Sequence, residues 1–293
     1  MASVMELYYD RAVEMVKNSR HPDTITPENV YQEGNLANRR AVESVVADII
    51  RPESHFANVE AMEKLADLSA QGKSCLILSE HYSNFDIPSI FYLLQKAGTK
   101  AAEVADRIVA IASLKLNITS DFVLAFAESF TRVVVYPSRS LEALVGTEKY
   151  DAEKTYSREI NRAALKQMIR LKYDGRIILV FPSGTRYRPG KPDTKRVLKE
   201  VDSYLKSFDY MVFVGSAGNI LVPNPTEKME LDEVHNDVLV HYASEVIDCS
   251  AFRSKARAAA PPDADLKQAA ADAVSVALDE LHAKAEAERA KYL

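Results

Sequence analysis

From residue 74 onward, short apolar or β-branched runs alternate with stretches of helical period, and that alternation admits few folds. The runs are SCLIL (74–78), IVAIA (108–112), RVVVY (132–136), RIILVF (176–181) and YMVFVG (210–215), with 237–248 long enough for two strands. Between them, 85–97, 119–129, 156–173 and 194–207 read as helices. Strands separated by helices at this spacing predict an α/β fold, a mixed central sheet flanked by helices.

Ahead of this pattern, residues 1–71 read as a small helical domain. Leu7, Ala12, Val13, Met15 and Val16 recur at helical spacing until His21-Pro22-Asp23 breaks the pattern. Thr26-Pro27-Glu28 has the chemistry of a helix start, with a capping hydroxyl, a proline at the first helical position and an acid in the first turn. The helix it opens carries Val30, Leu36, Val42, Val45, Val46 and Ile49 and ends before Arg51-Pro52. Asn58 caps a third helix, through Leu65 and Leu68, that stops near Gly72. The α/β domain spans 72–293. After the linker-like Ala259-Ala260-Pro261-Pro262 it closes with an alanine-rich helix, 263–291, whose apolar stripe is Leu266, Ala270, Val274, Leu278 and Leu281.

A net charge of −5 gives no basis for binding nucleic acid, so any anion site must be a local patch. Two cysteines, Cys75 and Cys249, are too few for a disulfide framework and fit a reducing cytosol. Glu6 and Asp10 interrupt what a secretory leader would need as its apolar core. No run approaches the ~20 apolar residues that span a bilayer. The expectation is a cytoplasmic protein, at most peripheral at a membrane.

Ligands of open α/β sheets sit beyond the carboxyl ends of the strands, and two segments of unusual content fall there. The first is His81-Tyr82-Ser83-Asn84-Phe85-Asp86. A histidine is the natural general base near neutral pH and needs a partner to fix its tautomer. With Ser83 or Asn84 as helix cap, Asp86 in the first turn can reach back to His81. Taken alone, the pair reads more readily as a polar strand end followed by a capped helix, with Asp86 complementing the helix dipole. The second segment, PSGTRYRPGK (182–191), follows RIILVF. From 183 to 199 there are six basic residues, Arg186, Arg188, Lys191, Lys195, Arg196 and Lys199, against one acid, Asp193. Two guanidinium forks beside the turn Ser183-Gly184-Thr185 suit a phosphate. No Walker lysine follows a G-x4-G and no G-x-S-x-G elbow occurs, so neither a nucleotide loop nor a serine nucleophile is indicated. Cys75 lies within a strand, where a thiol is inert. His21, His55, His235, His241 and His282 lack metal-ligand spacing and read as surface or packing residues, so no metal site is expected.

In order, each after a strand, the H-x4-D of His81 and Asp86 and the Phe181-Pro182-Ser183-Gly184-Thr185-Arg186 block resemble the glycerolipid acyltransferase superfamily. Ser183, Gly184, Arg186 and Arg188 reproduce the S-G-x-R-x-R pattern of its soluble, chloroplast-type glycerol-3-phosphate acyltransferases, which also carry a helical domain ahead of the α/β domain. The resemblance spans Tyr8 to about Phe252. It implies transfer of an acyl group from acyl-carrier protein or coenzyme A to the sn-1 hydroxyl of glycerol 3-phosphate, with no bound cofactor. His81 would be the base and Asp86 its orienter. Arg139, Arg186 and Arg188 would hold the phosphate, with Ser183 and Gly184 shaping the turn. Lys191, Lys195, Arg196 and Lys199 could dock an acidic carrier protein, and the amphiphilic product favours loose membrane contact. Two positions depart from the pattern: Glu80 stands where asparagine is usual, and Ser140 where the strand-end histidine of the branch would be. Rival readings are a lysophosphatidate acyltransferase, a non-catalytic phospholipid- or thioester-binding protein, and a phosphohydrolase.

Overall fold

In the computed structural model, which describes residues 2–226 and 228–293, the apolar runs become the strands of one sheet. In chain order the strands are β1 (Tyr31–Gln32), β2 (His55–Ala57), β3 (Cys75–Ser79), β4 (Ile108–Ser113), β5 (Arg132–Val135), β6 (Ile177–Val180), β7 (Tyr210–Ala217), β8 (Leu221–Val222), β9 (Glu233–Val234), β10 (Val240–Ala243) and β11 (Ile247–Asp248). The sheet runs β1-β5-β4-β6-β3-β7-β10-β2, with β11 also on β7, while β8 and β9 pair separately. Its centre, β5 to β7, is parallel; β1 and β10 run antiparallel to their neighbours β5 and β7.

Side chains of a strand alternate between its two faces, and here both faces are covered. Cys75 and Ile77 of β3 join a core with the helices Leu36–Ile49, Val59–Ala70 and Asp86–Ala97. Leu76 and Leu78 point the other way, into a core with Tyr150–Tyr173, Val201–Ser207 and Leu266–Arg289. Burial on both sides is why the central strands read as unbroken apolar runs. The C-terminal helix Leu266–Arg289 lies with its backbone directly on β7. A Cβ at Gly215 would fall 2.6 Å from the carbonyl carbon of Leu281 and 2.7 Å from the nitrogen of His282, so only glycine permits that approach. Of the expected stripe on this helix, Ala270, Val274, Leu278 and Leu281 are buried and Leu266 is exposed.

Several elements differ from expectation. Thr26-Pro27-Glu28 opens a turn rather than a helix: Asn29 Oδ1 accepts from the Thr26 N–H at 2.7 Å and its amide donates to the Thr24 carbonyl at 2.9 Å. The helix starts later, at Leu36, under an Asn35 cap. The 119–129 helix spans Asp121–Ala127, preceded by a separate short helix, Lys115–Ile118, and 194–207 is α-helical only over Val201–Ser207. Thr99–Arg107 and Cys249–Ala258 are further helices. The first 71 residues, expected to be helical, also supply both edge strands of the sheet, β1 and β2. No helix among the described residues is long and apolar enough to cross a membrane.

Candidate active site

Strands β3 and β6 are parallel neighbours in register, Leu78 opposite Val180, so the segments that leave them run side by side. Three residues beyond that pair stand His81 and Ser183. The Phe181 ring stacks on the His81 imidazole, centroids 3.9 Å apart and 11° from parallel. The Tyr187 N–H donates to the His81 carbonyl at 2.7 Å, tying the second segment to the first. The turn between is held by Ser183, whose buried hydroxyl donates to the Thr185 carbonyl at 2.7 Å. Gly184 has φ +67°, the left-handed region that favours glycine.

Asp86 is the first residue of the helix Asp86–Ala97. Its buried Oδ2 accepts from His81 Nδ1 at 2.8 Å, the Tyr82 N–H at 2.7 Å and the Ser83 N–H at 3.0 Å. A carboxylate facing Nδ1 keeps the proton there and leaves the Nε2 lone pair as the base. The cap differs from the expected one. Phe85 occupies it without a side-chain bond. Ser83 accepts from the Phe85 N–H at 3.1 Å and donates to the Leu221 carbonyl at 2.7 Å, and Asn84 reaches away to Asp232.

Arg186 follows Asn84. Its Nη1 donates at 3.0 Å to Asp232 Oδ2, the oxygen that Asn84 Nδ2 contacts at 2.7 Å. The other oxygen accepts from the Asn224 N–H at 2.8 Å. Asp232 is wholly buried, and burial raises its carboxyl above the usual range against the pull of the Asn224 N–H and Arg186. No motif marked this aspartate in the sequence; it lies between Glu230 and Glu233, and only the fold brings it to the site.

The remaining cations lie farther along the same loop. Arg188 and Lys191 face each other across an antiparallel bridge, and the Arg188 N–H donates to Thr194 Oγ1 at 2.9 Å. Arg139, half-buried in the short helix after β5, rests on this loop through the Asp193 carbonyl at 3.4 Å. Arg196 is exposed. Lys195, expected on a docking face, pairs instead with Asp279 of the C-terminal helix at 2.6 Å and lies 3.9 Å from Glu80.

Glu80 is the second site residue that motif reading left without a role. It is buried and accepts from the Tyr82 hydroxyl at 2.7 Å, the Ser216 N–H at 2.9 Å and His282 Nδ1 at 3.1 Å. The bond to Glu80 raises the His282 pKa against the opposing effect of burial. Glu80, His81, Ser183, Tyr187, Lys195 and Asp279 help line a small cleft between the His81 turn and the C-terminal helix. Behind it, His241 is fully buried with both ring nitrogens satisfied, by Ser89 and Ser216 hydroxyls at 2.8 Å, and burial pulls its pKa to about 4. Both cysteines are buried; the Cys75 thiol is pushed up to about 12, which removes it as a nucleophile. Among the described residues no group of three or more His, Cys, Asp and Glu could hold a metal ion.

No family model matches this chain, and no curated protein matches it either. The reading of the site therefore stands on the motifs and on their geometry.

Proposed function

We propose that the protein transfers an acyl group from a thioester of acyl-carrier protein or coenzyme A to the sn-1 hydroxyl of glycerol 3-phosphate. The observation that carries this reading is the His81–Asp86 dyad, 2.8 Å apart, joined through the Tyr187–His81 main-chain bond to the loop that bears Arg186 and Arg188. A base is thus set beside a cationic loop at the carboxyl ends of neighbouring strands.

In the proposed reaction, His81 Nε2 takes the proton of the acceptor hydroxyl as its oxygen attacks the thioester carbonyl. Asp86 holds Nδ1–H and stabilises the imidazolium. The tetrahedral intermediate collapses, the carbon–sulfur bond breaks, and the imidazolium returns its proton to the departing thiolate. No protein nucleophile is required because the acceptor is the nucleophile. The cationic loop holds the phosphate and so places the hydroxyl, which supplies much of the rate by proximity.

The test is release of free thiol from acyl-carrier-protein and coenzyme A thioesters, with and without glycerol 3-phosphate. Acceptor-dependent release, lost in His81→Ala, is the expected result; acceptor-independent release or none at all refutes the reading. The ratio of rates on glycerol 3-phosphate and on lysophosphatidate separates this reading from that of a lysophosphatidate acyltransferase. Cytoplasmic residence with loose membrane contact through the amphiphilic product belongs to the same proposal.

A further inference from the structure

We propose that Asp232 is a positioning residue for Arg186: with Asn84 it fixes the guanidinium so that its remaining N–H edge meets an anionic acceptor. This rests on the phosphate role given to Arg186 above. An arginine has five N–H donors, and the contact with Asp232 is through Nη1 alone, at 3.0 Å. Asp232 has no solvent-exposed side-chain surface, whereas the Arg186 side chain keeps 13% exposure. The carboxylate is therefore anchored in the protein and the guanidinium is the partner at the rim. Each Asp232 oxygen has a further donor, Asn84 Nδ2 at 2.7 Å and the Asn224 N–H at 2.8 Å, and its carbonyl accepts from the Val4 N–H at 2.9 Å. Four segments converge on this one residue. Asn84 lies within the H-x4-D turn, so the bond through Asp232 couples the place of the guanidinium to the place of the base. A long flexible side chain that is oriented beforehand loses less freedom when it grips a ligand.

Two alternatives give different outcomes. If Asp232 merely competed with the acceptor for the guanidinium, removing its charge would tighten acceptor binding. If it only held the fold, the variant would lose stability without changing KM. The experiment uses Asp232→Asn, which keeps the shape and one acceptor oxygen, and Asn84→Ala, which leaves the aspartate and removes its companion. Both are measured by acceptor KM and kcat in thiol release, and by calorimetric titration with glycerol 3-phosphate and with inorganic phosphate. We expect acceptor KM and both dissociation constants to rise about tenfold or more in Asp232→Asn, and by a smaller factor in Asn84→Ala, with kcat within about threefold. Unchanged or lowered acceptor KM and dissociation constants in the folded variants overturn the inference. Should Asp232→Asn fail to fold, Asn84→Ala alone carries the same test. Titration separates this inference from the reaction: weakened phosphate binding in a protein that cleaves no thioester sustains the first and sinks the second, and acyl transfer with unaltered acceptor affinity does the reverse.

Discussion

One carboxylate oxygen, Oδ2 of Asp86, gathers two backbone N–H groups and the imidazole of His81. An amide oxygen in the same place could accept all three bonds, but it carries no negative charge to stabilise the imidazolium. Asp86→Asn is expected to lower kcat by ~10²–10⁴, and His81→Ala by a similar factor with an unchanged melting curve. Thiol release and thermal melting, measured on the same preparations, check both. Loss of melting stability in His81→Ala comparable to a core deletion would assign the histidine to the fold instead. This pair was legible in the sequence because its partners lie five residues apart on one strand-to-helix turn. Asp232 was not: it lies 46 residues from Arg186, and nothing local distinguishes it from a solvated acid.

Among the elements, the central strands were readable because each is buried on both faces, while the two- and three-residue strands β1 and β2 are too short to show any period. The false helix start at Thr26 has a local cause, since Asn29 folds that peptide back on itself before a helix can propagate. Strand β5 carries a feature that no pattern shows. Arg132 is buried with none of its three side-chain nitrogens hydrogen-bonded, and burial lowers its pKa to about 10. The fully buried Glu128 supplies its counter-charge. Removing one partner of a buried pair leaves the other uncompensated, so Arg132→Met is expected to destabilise the fold by up to ~3–5 kcal/mol in urea unfolding; a neutral or stabilising effect would show that the guanidinium does not support the fold. Where the C-terminal helix presses on β7, Gly215→Ala is expected to cost ~1–3 kcal/mol by overpacking, and to open the Glu80–His282 contact, since His282 is itself a residue the added Cβ meets. An unaltered unfolding curve would mean that the helix shifts freely.

For the whole molecule, two histidines set opposite pH trends. His241 is depressed to about 4 from 6.5, so the unfolded chain binds its proton first as pH falls. Its stabilising contribution is complete above about pH 6.5 and shrinks between there and pH 4, by ~3 kcal/mol in all. His282 is raised, so its contribution is complete below about pH 6.5 and fades as pH climbs through its folded value. Stability measured from pH 8 to pH 4 is expected to show a shallower acid limb in His241→Gln; an unchanged limb would place the proton uptake elsewhere. The α/β class and the strand sequence could be read in advance, but the weaving of the first 71 residues into the sheet could not, because it depends on pairings remote in the chain. Strand β2 meets β10 across 185 residues, Val240 beside His55. On a ribosome, then, β2 emerges long before its neighbour exists and must wait, unpaired, until nearly the whole polypeptide has been made. The β2 border of the sheet closes late, and a nascent chain stalled before residue 240 would carry an open margin there, available to other chains.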